Sequence, residues 1–201
     1  AAAEKAKAAG YYARSFEGGN TLNSTLYPLI WQAGGKVADV DNNIFIDKPE
    51  ATKAFAFVNE MLEKGYIPAD SVGGLDHAEL FMKDEMLAVW TAGRSLDRWA
   101  ARPDEDGGPM DIIVGDPLMA EGGQRVTYGT TGAFVVSSVS KNKEAAADFL
   151  KIMTNEDNIR EFNKVTGYIP PREAAHDIFE GNADAQKMAE LDAIAIGGVI
   201  N

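Results

Sequence analysis

The chain has 201 residues, 45% of them hydrophobic, and a net charge of -12 from 19 Lys and Arg against 31 Asp and Glu. Such a chain can bury the core of one domain or of two small ones, which excludes a disordered tail. The acidic balance disfavours nucleic acid and anionic membrane surfaces as partners, and the absence of cysteine removes disulfides, thiolate metal sites and Cys nucleophiles.

No run approaches the roughly 18–20 apolar residues of a membrane helix. The first residues, Ala1-Ala2-Ala3-Glu4-Lys5, lack the apolar stretch of a signal peptide. The chain starts without Met, inside an Ala/Lys helix pattern, and reads as a soluble, processed or truncated piece. Residues 11–16 form the first short apolar strand. A polar loop with Asn20, Thr21, Asn23 and Ser24 follows and leads into the helix Tyr27-Pro28-Leu29-Ile30-Trp31.

The clearest helix opens at Asp47, which with Glu50 resembles a capping box, while Pro49 sits in the first turn. Ala51, Ala54, Phe55, Val58, Met61 and Leu62 then recur at three- and four-residue steps until Gly65. Asp76 with Glu79 predicts a second, shorter helix carrying Leu80 and Phe81. The apolar run 86–90 reads as a strand that stops at Thr91-Ala92-Gly93, and Arg94 stands where a new helix begins. Residues 111–115 and 132–137 are two further strands. Ser140 opens a helix with Ala146, Phe149, Leu150 and Met153 on one stripe, and Thr154 with Asp157 opens another with Ile159, Phe162 and Val165 before Gly167.

Continuously apolar strands separated by helices indicate the α/β class, with a sheet covered on both faces. In such sheets ligands collect beyond the carboxyl ends of the strands. The Gly93-Arg94 turn lies at such an end and would offer a guanidinium to a ligand. The residue types equally allow Arg94 to be a surface partner of Asp97 or Asp104.

The order of motifs carries a resemblance. "YPLIWQAGG", a helix, "LFMKDEMLAVWTAGRS", "DIIVGDPLMAEGG", "YGTTGAFVVSSVSKNKEAAADFLKIMTNEDNIREFN" and "TGYIPPREAA" follow one another over residues 10–195. In this order they resemble the family 1 extracellular solute-binding proteins, the sugar-type receptors of bacterial ABC importers. The resemblance implies a periplasmic-binding-protein-like (type II) α/β fold, with a mixed, mostly parallel sheet covered by helices. It also implies a solute clamped between two lobes without chemistry or cofactor, and delivery to ABC permease subunits in the membrane. The place of action would be periplasmic or extracellular, with a lipoprotein anchor allowed. Residues 1–132 would be an incomplete ligand-binding lobe of the C-terminal type, and 133–201 a hinge strand and helices of the N-terminal-type lobe. The apolar stripes of the helices after Ser140 would then need substitute cover, another copy of the chain included.

The resemblance places ligand contacts at Asn20, Thr21, Asn23 and Ser24, at Gly93 and Arg94, at Gly129, Thr130 and Thr131, and at Tyr168 beside Pro170-Pro171. Arg94 stands where the family often has an aromatic platform, and a guanidinium forks onto carboxylates, phosphates or vicinal hydroxyls. Each position also has a plain structural reading. Asn20 to Ser24 would serve as helix caps, Thr130 and Thr131 as strand formers, and Tyr168 as a cover for the prolines. Trp31 and Trp90 sit in apolar patterns that favour core packing, and Trp99 fits either packing or stacking.

Two other classes remain open on residue types alone. A carbohydrate-active enzyme would need a carboxylate couple such as Glu17 with Asp97. His77 and His176 stand in no metal-ligand or nucleophile pattern, so no metal is implied. A protein-interaction module without a small-molecule ligand is the third class.

Overall fold

The computed structural model describes residues 1–14, 16–19, 25–73, 77–89, 94–129 and 132–197, with backbone alone at Val72, His77, Arg94, Ser95, Asp97 and Ile196. Helix α1 (Ala2–Ala8) packs Ala6 into the core. Lys7 donates from Nζ to the Lys64 carbonyl at 2.6 Å, capping the end of a later helix. Helix α2 (Tyr27–Gln32) is buried on nearly every side, with Ile30 fully enclosed and Trp31 3% exposed. It packs on α3 (Pro49–Glu63), which turns Ala51, Ala54, Val58 and Met61 inward.

Phe55, expected on the inward stripe, is 48% exposed. The buried positions 51, 54, 58 and 61 form a narrower row than the sequence pattern suggests, and Phe55 lies beside it. The helix start differs as well. Lys48 is the N-cap, in an extended conformation and without a side-chain cap, while Asp47 pairs with Lys48 Nζ at 3.4 Å. Proline explains this: it disfavours helical backbone in the residue before it and brings no N–H that needs a cap.

A 3-10 turn (Ala69–Gly73) leads to α4 (His77–Met82), and α5 (Arg94–Ala100) buries Leu96 and Trp99. Trp99 packs on Phe81 of α4 with ring centroids 4.9 Å apart, so packing is its role. Further on come β1 (Thr127–Gly129), α6 (Lys143–Met153), α7 (Glu156–Thr166), a 3-10 segment (Glu173–Phe179), α8 (Ala183–Asp192) and β2 (Ala195–Gly197). Both late helices start later than expected. Ser140 turns the chain by accepting from the Asn142 N–H, and Asn142 is the cap of α6. Asn155, not Thr154, caps α7 by accepting from the Asn158 N–H at 2.9 Å, and Thr154 instead closes α6 by donating to the Leu150 carbonyl. Gly167 ends α7 in the left-handed conformation, as expected.

The strands are shorter than the sequence suggests. Tyr12 and Met86 form a parallel bridge, and β1 pairs with β2 in parallel, Thr127 opposite Ala195 and Gly129 opposite Gly197. Ala38 and Ile44 form an antiparallel bridge, so the pairing is mixed and mostly parallel. Residues 111–115 and 132–137 run extended without a ladder among the described residues. A strand becomes a ladder only where its N–H and C=O groups meet another strand. Here the Val114 N–H goes to the Asp184 carboxylate of α8 at 3.0 Å. In the second segment Phe134 and Val135 are 54% and 82% exposed.

Two apolar clusters result. The main one gathers residues between Ala6 and Ile67, joined by Val126 and Tyr128. The smaller one buries Ile159, Asn163, Ala175 and Phe179, where α7 lies on the 3-10 segment. Arg160 holds those two together through Glu156, Asp177 and the Ala174 carbonyl.

Candidate ligand site

The bridge Tyr12–Met86 joins the two segments that precede the expected loops. The Tyr12 N–H donates to the Glu85 carbonyl and the Leu87 N–H to the Tyr12 carbonyl, both at 2.8 Å. At this bridge the two segments run in parallel, and in sequence Asn20 follows the first and Arg94 the second. The base of the first of these loops is anchored. Thr25, 1% exposed, donates from Oγ1 to the Glu17 carbonyl at 2.8 Å, and the Gly18 N–H donates to the Ser71 carbonyl at 2.8 Å.

β1 reaches the same body through aromatic packing. Trp31 of α2 stacks on Tyr128 with centroids 6.3 Å apart and planes 11° apart. Core packing is thus the role of Trp31. Gln32 adds an Nε2 donation to the Val126 carbonyl at 3.0 Å.

Of the expected contacts, Asn20, Thr21, Asn23, Ser24, Gly93, Thr130 and Thr131 lie outside the described residues, as does Trp90. Arg94 is the first residue of α5, and its side chain is likewise outside the description. The same holds for Asp97, and with it the Arg94–Asp97 pairing and the Glu17–Asp97 couple. Gly129 ends β1, where a Cβ would stand 2.7 Å from the Ala195 Cβ, so close strand packing alone requires glycine there. Tyr168 is 44% exposed, directly after the Gly167 cap, in the loop where Pro170 accepts a contact from His176 Nε2 at 3.0 Å.

Sequence reasoning passed over two arginines. Arg14 lies two residues beyond Tyr12, and burial pushes its guanidinium down to about 10, still charged at neutral pH. Its signal was a cation inside an apolar run. Arg102, with a side chain only 3% exposed, follows α5 and pairs with Asp84.

An apolar groove of about 370 Å³ lies between α2 and α3, lined by Phe16, Leu26, Ile30, Phe55 and Leu62 among others. Its lining is mostly apolar, with Tyr27 and Asn59 the polar side chains, so it offers a sugar's hydroxyls few partners. Among the described residues no group of three or more His, Asp or Glu side chains could hold a metal ion. No helix among them is long and apolar enough to cross a membrane.

The profile of the bacterial extracellular solute-binding proteins matches residues 1–192. The chain belongs to that family. Membership places the protein in the periplasm or outside the cell. Solved structures agree on the fold. T. maritima MalE3 with maltose bound is 20% identical over 98% of this chain and 52% of its own, with a TM-score of 0.77. A sugar transporter of Arthrobacter chlorophenolicus with bound laminaribiose is 16% identical over 97% and 50%, at 0.72. UgpB of Mycobacterium tuberculosis in complex with glycerophosphocholine is 17% identical over 94% and 47%, at 0.67. The fold is therefore the periplasmic-binding-protein-like α/β fold that the motif order implied. The chain spans about half the length of these structures. No curated protein matches it in sequence.

Proposed function

We propose that the chain is part of a solute-binding receptor of an ABC importer, which takes a sugar or related polar solute between two lobes and hands it to a membrane permease. The observation that carries this reading is the family match over residues 1–192, and solved relatives that hold maltose and laminaribiose agree with it. A lipoprotein anchor is compatible with the reading. The family and its solved neighbours are binding proteins, so binding without turnover is the activity to test.

The reading puts a boundary near residue 132, with residues 1–132 in one lobe and 133–201 reaching into the other. β2 returns to pair with β1 across that boundary, as crossing hinge strands require. Phe149, Ile152 and Val165 of α6 and α7 are 60%, 62% and 86% exposed and would be covered in a receptor of the relatives' length.

In this reading Asn20, Thr21, Asn23 and Ser24 face the solute together with Gly93 and Arg94, because parallel segments carry both loops to one edge. Gly129, Thr130, Thr131 and Tyr168 line the other side. The test is calorimetry on a receptor of the relatives' length containing this sequence, titrated with maltose, laminaribiose and glycerophosphocholine. One of them should bind, and Arg94→Ala should weaken it by about 1.5–3 kcal/mol, the worth of a charge-assisted hydrogen bond, with little change in folding. No binding by any of the three would refute the proposed solute class. Unchanged binding in the variant would return Arg94 to a surface role beside Asp97.

A further inference from the structure

Arg102 is a buried cation with four hydrogen bonds. Nε donates to the Gly108 carbonyl at 2.7 Å, Nη1 to the Met82 carbonyl, and Nη2 both to Asp84 Oδ2 at 3.0 Å and to the Gly107 carbonyl at 3.3 Å. These acceptors come from two places. Met82 and Asp84 lie at the end of α4, just before Met86 of the parallel bridge, and Gly107 and Gly108 lie in the turn after α5.

The surroundings are shaped to admit the guanidinium. Gly107 has φ +111°, and a Cβ there would stand 3.0 Å from Nη2, so both its backbone and the cation demand glycine. Asp84 holds a positive φ of 57°, uncommon for a residue with a side chain, and its carboxylate is thereby brought to Arg102. The turn is tied back to the helix as well, since the Met110 and Arg102 N–H groups both donate to the Trp99 carbonyl. One side chain therefore closes the excursion from residue 84 to residue 102, and α5, which Arg94 opens, is the returning arm.

We propose that Arg102 is a positioning residue for the solute site: by stapling the base of that excursion it fixes where α5, and with it Arg94, stands relative to the Tyr12–Met86 bridge. The inference rests on the reading of Arg94 as a ligand group. Lysine cannot replace the fork, because it is a point charge with one nitrogen for acceptors on two sides.

The experiment uses the full-length receptor, with maltose as probe, and the variants Arg102→Lys, Asp84→Gly and Arg94→Ala. Asp84→Gly removes the carboxylate while relieving the positive φ, so it stays folded even where loss of the arginine does not. Amide exchange should speed up in α5 by about tenfold or more in Arg102→Lys and Asp84→Gly while α3 and α7 keep their protection. Maltose affinity should fall by roughly tenfold in Arg102→Lys, and the double variant with Arg94→Ala should bind no more weakly than Arg94→Ala alone, because both act through one contact. Unchanged exchange in α5, or faster exchange everywhere, overturns the staple. Faster exchange confined to α5 with affinity losses that simply add overturns the positioning role. An Arg94→Ala receptor that binds maltose normally removes the ligand reading itself, and the inference with it, whatever the exchange shows.

Discussion

Ile30 is the side chain whose truncation should cost most for its size. It is fully buried in α2, and the helix it packs on, α3, offers Ala51 and Ala54, 0% and 3% exposed. Alanines have no atoms to lean into a void, and Gly35 on the other side of Ile30 has none either. Ile30→Ala removes three carbons, each worth about 0.8 kcal/mol of transfer, so about 2.4 kcal/mol before any cavity. Phe16, Leu26 and Leu62 along the adjoining groove can fill part of the void, and the cavity that remains should bring the loss to about 3–4 kcal/mol. Ile30→Val removes a single methyl and should cost about 1 kcal/mol. Urea titrations of the receptor, followed by intrinsic fluorescence, give both values, and an unchanged slope would show that stability alone has moved. A loss under about 1 kcal/mol for Ile30→Ala, or one equal to that of Ile30→Val, would refute the rigid α2–α3 seam.

Asn155→Ala should destabilise α7 by about 1 kcal/mol through loss of the cap on Asn158, read from the same titration, whereas Thr154→Val, at the position expected from sequence, should leave that cap intact. Gly129→Ala should loosen β2 through its clash with Ala195, and adding Ala195→Gly should restore thermal stability; affinity that stays low in the restored pair would reveal a separate ligand role for Gly129. Asp116 is held below the usual carboxylate range by a hydrogen bond from Lys187 and the charges of Lys187 and Arg125. Because its folded pKa is the lower one, its contribution is present above about pH 4 and is lost as pH falls further, so wild type and Asp116→Asn should converge in stability in acid titrations.

Helices were legible because their signal is local and repeated. Of the expected stripe, Ala51, Ala54, Val58 and Met61 are buried and Phe55 is not, and the glycine stop at Gly167 is where the sequence puts it. Their starts were less so, since Thr154 and Asn155 are both good caps and only the turn geometry chooses between them. Strands were the weakest element. The apolar run at residues 86–90 marks a real parallel contact at Met86, but β1 and β2 are three residues each, too short for any periodicity to register. Arg102 was missed for another reason: its acceptors are mostly backbone carbonyls, and a carbonyl has no letter of its own in a sequence.

The site is legible in a different way from the fold. A solute bound by hydroxyls needs donors and acceptors brought together from distant loops, and in the proposed reading the parallel contact between residues 12 and 86 is what would bring them together. Had that contact been antiparallel, the loop after residue 16 and the turn before residue 94 would leave opposite edges, and no polar cluster could form from them. The apolar groove between α2 and α3 has Tyr27 and Asn59 as its polar side chains and is otherwise lined by apolar side chains and Gly18. The proposed reading therefore puts the solute beside the two loops that follow the parallel bridge and not in the apolar groove, and the direction of the segments at Tyr12 and Met86 is the feature of the fold on which it depends.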